Sequence, residues 1–126
     1  MAVSDGCVEL LKDLLADFAP VTARRMFSGV GLYAEGVMFG LVVDDTLYLK
    51  VDDTTRPDFE AEAMVPFSYE AKTRRVITSY WRAPERLLDD PEEMRGWARA
   101  ALGVAKRAAA RKARKSASRP RRATQR

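Results

Sequence analysis

Ten lysine and arginine residues stand between positions 106 and 126 of this 126-residue chain, with no acidic residue among them. They are Lys106, Arg107, Arg111, Lys112, Arg114, Lys115, Arg119, Arg121, Arg122 and Arg126. Clustered cations neutralise phosphates and release condensed counterions, which gives binding that reads no base sequence and weakens steeply with salt. On a helix, Arg107, Arg111 and Arg114 share one side with Lys115 close by, a stripe that can follow a phosphate backbone. The segment has no aromatic residue to stack on unpaired bases, so duplex DNA, RNA or another polyanion is the expected partner. The competing reading is a solubilising tail, or one that folds back on the body. Residues 1–105 hold eighteen acidic and twelve basic side chains, a net charge of −6 facing a tail of +10.

Other chemistry is sparsely supplied. The chain has no histidine, which removes Ser-His and Cys-His nucleophile pairs and the commonest zinc ligand together. Its one cysteine, Cys7, forms no disulfide within the chain and reads as a buried, inert thiol in a first helix. No serine is followed three residues later by lysine. The carboxylate pairs Asp44–Asp45 and Asp52–Asp53 flank one predicted strand and stand roughly 20 Å apart at ~3.3 Å per residue, too far to share a metal. Turns and helix caps account for them. Accordingly no catalytic residue, cofactor or metal is expected.

The stretch "RRMFSGVGLYAEG" at 24–36 offers glycines behind an arginine pair, as a phosphate loop would. Such a loop needs a strand before it and a helix after it, so that backbone donors and the helix N-terminus face the anion. Here the apolar "VMFGLVV" follows and reads as strand. Gly29 and Gly31 therefore mark a bulge or close backbone packing, and Gly36 a positive φ in a turn. Alternation sets Arg24 and Arg25 on opposite faces of an edge strand, where a solvated or salt-bridged pair is favoured over a ligand site.

These residues need a scaffold. Apolar Val8, Leu11, Leu14, Leu15 and Phe18 recur at helical spacing in "SDGCVELLKDLLADF", with Ser4 or Asp5 as N-cap and Pro20 past the end. Residues 24–34, 37–43 and 46–51 read as three antiparallel strands separated by the turns "AEG" and "VDD". Thr54, Thr55 and Pro57 open a short helix, and "PFSYE" and "RRVITSYWR" give two more strands. In the last, Val76, Thr78 and Tyr80 face one side and Ile77, Ser79 and Trp81 the other. Asp90, Pro91, Glu92 and Glu93 begin a long helix with an apolar stripe of Met94, Trp97, Ala98, Ala101, Leu102 and Ala105. Beyond 105 the sequence keeps good helix formers but has nothing large to bury, and a helix fraying into a flexible tail is expected. The expectation is an α+β chain with one domain, 1–105, carrying a sheet of about five strands flanked by an N-terminal, a short middle and a long C-terminal helix. Residues 106–126 form the basic tail. No apolar run approaches the length of a membrane span and the N-terminus does not resemble a signal peptide, so a cytoplasmic protein without membrane contact is expected.

Within this frame, "RRMFSGVGLY", "LYLKVD", "RPDFEAEAM", "PFSY" and "SYWRAPE" together resemble the N-terminal domain of the TfoX/Sxy family of bacterial competence regulators, over about residues 7–105. The resemblance implies an α+β fold with a curved antiparallel sheet flanked by helices, and no enzymatic activity. It implies a role like that of transcriptional co-activators acting with the cyclic-AMP receptor protein on DNA-uptake genes. Those regulators carry a second domain after this one, where this sequence has 21 residues rich in cations, so their role is not expected to carry over unchanged. The resemblance transfers no binding residue. Two functions follow as expectations: a regulatory or accessory protein tethered to nucleic acid by its tail, with a protein partner such as a transcription factor, or a protein-interaction domain that binds another protein or a second copy of itself. For the second, Tyr80, Trp81 and Trp97 are a candidate contact patch.

Overall fold

Two tight turns organise the sheet. Glu35 and Gly36 have φ of 51° and 81°, and Asp44 and Asp45 have φ of 54° and 58°. Positive φ at both central residues is the condition of the two-residue hairpin turn whose twist matches its strands, and Gly and Asp are residues that tolerate it. The computed structural model of the chain describes residues 5–16, 18, 20–26 and 29–118. Its elements are α1 (Asp5–Leu14), β1 (Thr22–Met26), β2 (Gly29–Ala34), β3 (Val37–Val43), β4 (Thr46–Lys50), α2 (Arg56–Ala61), β5 (Pro66–Glu70), β6 (Arg75–Arg82), a 3₁₀ turn (Glu85–Asp89) and α3 (Pro91–Ser118). The strands form one antiparallel sheet in the order β1-β2-β3-β4-β6-β5. The α+β class holds.

The sheet has six strands because the segment expected as one strand over 24–34 is two. β1 pairs antiparallel with β2, Met26 opposite Gly29. Mixed apolar and polar residues run through this reversal, so periodicity carries no sign of it. The glycines act as read from the sequence. A Cβ on Gly29 would stand 2.6 Å from the Val42 carbonyl oxygen, and one on Gly31 would meet the Met26 and Met38 side chains at 2.9 and 3.0 Å. A bulge follows between Leu32 and Tyr33, where Leu32 faces Gly40 and Tyr33 faces Met38. Phe39 is the extra residue, and it turns fully into the core, edge-on to Phe18 at 5.7 Å.

All helices pack on one face of the sheet. Leu11, Leu14 and Leu15 of α1, Phe59 of α2 and Leu87 of the 3₁₀ turn join Val30, Leu32, Val42, Leu47 and Leu49 of the strands. Of the stripe expected on α3, Met94, Ala98, Ala101, Leu102 and Ala105 are buried and Trp97 is half-buried against them. Its alanines let the helix lie close on β3 and β4. Asp90 caps α3 by accepting the Glu93 N–H at 3.1 Å, an interaction type worth about 1 kcal/mol. Ser4, the other cap suggested for α1, lies outside the described residues.

Sequence reading gave no sign of the 3₁₀ turn. Its Arg86 donates to Glu62 after α2 and, at 2.6 Å, to Glu93 of α3, tying three elements together. The stripe on α3 ends at Ala105 as expected, yet the helix runs on to Ser118. Those last thirteen residues add about 20 Å at 1.5 Å per residue.

Candidate nucleic-acid interface

The cationic segment starts inside the fold. Lys106 donates to Glu35 in the β2–β3 turn at 2.7 Å, and Arg107 donates to Asp52 beyond β4 at 3.0 Å. Both acids stand at the same end of the sheet, so α3 leaves the domain across that end with its first two cations held by carboxylates. Asp52 is prepared for this. Its Oδ1 accepts the Thr54 hydroxyl at 2.6 Å and the Thr54 N–H at 3.0 Å. The Thr54 hydroxyl, then Arg107, hold its carboxyl well below the usual range against the opposing effect of burial. Asp44 and Asp45 occupy a turn at positive φ, and Asp52 bonds Thr54 and Thr55 ahead of α2 as a turn residue does.

Beyond Arg107 the helix presents Arg111, Lys112 and Arg114 as exposed side chains, and Lys115 continues the same helix. Successive spacings of four and three place Arg107, Arg111 and Arg114 on one side. Arg119, Arg121, Arg122 and Arg126 lie outside the described residues. Burial first, and then the Arg111 charge, lower the pKa of Lys50, whose ammonium donates to Ser79 Oγ at 2.7 Å and lies 5.0 Å from the Tyr80 ring centre.

That sheet has a charge of its own, which sequence reading missed. Across six strands there are five cations, Arg24, Arg25, Lys50, Arg75 and Arg82, against one acid, Glu70. Glu70 is paired with Arg75 at 3.0 Å. The body's excess of acid therefore sits entirely in its helices and connections. The signal was available once strands were assigned, by counting charge per element instead of per segment of chain.

The edge arginines divide as alternation required. Arg24 lies over the Tyr33 ring at 5.4 Å on the helix-free face, and Arg25 borders a hollow with Val8, Glu9 and Val30 on the helix side. The suggested aromatic patch is divided too. Trp81 and Trp97 flank Phe59 on the helix side, at 6.5 and 4.9 Å between ring centres, whereas Tyr80 points to the opposite face and donates to the Met38 carbonyl at 2.9 Å. These three side chains form no common surface.

Burial, then the neighbouring Tyr33, push the Tyr80 hydroxyl up to about 12. A folded-state pKa above the unfolded value near 10 gives stability that is complete below pH ~10 and lost as pH rises through 12. Tyr80→Phe is expected to cost about 0.5–1.5 kcal/mol at neutral pH through the lost hydrogen bond. It should also flatten the loss of stability between pH ~10 and 12, which urea titrations at several pH values will read. Cys7 is half-buried, and burial followed by the Asp45 charge raises its thiol, which disfavours thiolate chemistry. Among the described residues no three His, Cys, Asp or Glu side chains gather as a metal site would need. Among the same residues no helix is long and apolar enough to cross a membrane.

The family model of the TfoX N-terminal domain matches residues 13–105, from within α1 to the last buried alanine of α3. The chain belongs to the TfoX N-terminal domain family. The match stops at Ala105, one residue before Lys106. The chain is also similar to DNA transformation protein TfoX1 of Aliivibrio fischeri, 32% identical over 71 residues. That alignment covers 56% of this chain and 34% of the relative, so the chain spans about a third of the relative's length.

Proposed function

We propose that this chain is a non-enzymatic bacterial regulatory or accessory protein, acting in the cytoplasm, that holds nucleic acid through the cations of α3 and the residues after it. Its TfoX domain remains available to a protein partner such as a transcription factor. The observation that carries this reading is the continuous helix. One element fills the core of the domain with its first half and carries exposed Arg111, Lys112 and Arg114 outward on its second. Duplex DNA bound there is held rigidly relative to the domain. The relative's name supports a link to DNA transformation, which is the competence-related role proposed for this chain.

A second reading is favoured by the pairs Lys106–Glu35 and Arg107–Asp52: the acidic body itself is the tail's partner, and the chain is a protein-interaction module. One variant separates the two. Changing Arg111, Lys112, Arg114 and Lys115 together to glutamine leaves both pairs and the core untouched. Fluorescence anisotropy with a labelled duplex is expected to show affinity at least about 100-fold weaker at low salt. Unchanged affinity, or no binding by the unaltered chain, would sink the tether and leave the interaction module.

A further inference from the structure

The sheet face opposite the helices carries a groove of about 490 Å³ lined only by strand residues, among them Met26, Met38, Leu41, Phe67, Tyr69 and Tyr80. Its volume lies within the range of ligand pockets. The groove exists because Gly29 and Gly31 put no side chains on this face and the bulge at Phe39 sends that ring to the other side. The Tyr48 ring lies 5.3 Å from Phe67, and Phe67 lies 6.2 Å from Tyr69, which is 49% exposed. Cations interleave with the rings. Arg24 lies over Tyr33, Lys50 lies over Tyr80, and Arg82 is the register partner of Tyr48. No strand residue on this face is acidic, since Glu70 pairs in register with Arg75 one position beyond Tyr69 and so faces the other way.

We propose that this face binds single-stranded nucleic acid, its bases lying on the methionine and aromatic groove and its phosphates meeting Arg24, Lys50 and Arg82. Charge complementarity selects this occupant. A second copy docked by the same face would set those three cations against themselves, and like charges brought together are unfavourable. Added strands are discouraged as well, because edge strand β1 carries Arg24 and Arg25 and edge strand β5 opens with Pro66. Stacking on aromatic rings beside a cationic track suits any base sequence, and methionines adapt to bases of different size. The tail supplies charge without aromatics; the sheet supplies the aromatics.

The site stands independently of the tail, and the test keeps them apart. A labelled oligothymidylate of about 12 nucleotides and a duplex of equal length are titrated with the full chain in the anisotropy assay. Tyr69→Ala is expected to weaken single-strand binding by about 5- to 100-fold while changing duplex binding less than about twofold. Arg24→Gln, at the other edge of the face, is expected to lower the slope of log affinity against log salt by about one for the single strand. The fourfold glutamine change in the tail should weaken both probes. The proposal is overturned if Tyr69→Ala leaves single-strand affinity within about twofold, or if both probes respond to the tail alone. It is equally overturned if sedimentation shows a dimer of the chain that Tyr69→Ala dissociates.

Discussion

Between about 50 and 200 mM salt, the affinity of the full chain for duplex DNA is expected to fall by about 10³ to 10⁵. The size follows from how many phosphates the tail can neutralise. Ten cations follow residue 105, and two of them, Lys106 and Arg107, already hold carboxylates. A phosphate met by each of the other eight gives a slope of about −7 at roughly −0.9 per phosphate. The two ion pairs are half-exposed and of a kind worth about 0–1 kcal/mol, so a strong phosphate contact can recruit their cations and steepen the slope slightly. Anisotropy titrations at four salt concentrations measure it. A fall of only about tenfold means one or two phosphates met, and the tail is then not the interface.

Phe39→Ala is expected to destabilise the domain by about 3–5 kcal/mol, a large part of the ~5–15 kcal/mol available to a domain of this kind. Phe39 is fully buried and is among the largest of the wholly enclosed side chains. Its position leaves little scope for relaxation. The bulge fixes its backbone between two strands, Phe18 closes one side of it, and α3 lies over β3 above it. Collapse of the cavity would require the sheet to re-register or the helix to drop. Urea unfolding followed by tryptophan fluorescence should show the midpoint falling with little change in m. A cost below about 1 kcal/mol would mean that the bulge does not anchor the core.

Much of this scaffold was legible where local chemistry decides structure. Asp90, Pro91 and the two glutamates start α3 wherever they occur, and turn residues with positive φ at 35–36 and 44–45 fixed two hairpins before any partner strand was known. β5 and β6 likewise matched their β-rich segments. What escaped depends on contacts distant in sequence. The break between β1 and β2 is a choice of partner, made where Gly29 can lie against Val42, and no periodicity in the sequence marks it. The 3₁₀ turn at Glu85–Asp89 owes its place to Leu87 entering the core and to Arg86 meeting two other elements. The candidate site divides in the same way. The run of cations was visible as composition, but its first two members are bound to Glu35 and Asp52, 71 and 55 residues away. The charge of the sheet was concealed in a body whose total is negative.

The order of elements along α3 bears on how the protein is made. Every strand is complete by Arg82, yet Met94, Ala98, Ala101, Leu102 and Ala105, which cover β3 and β4, come afterwards. During synthesis the sheet must therefore wait, with the part of its helix-side face over β3 and β4 uncovered, until the chain has grown to residue 105. A transcript broken within that interval yields a product with all six strands but without the cover that α3 gives β3 and β4, the kind of species that aggregates or is taken up by chaperones.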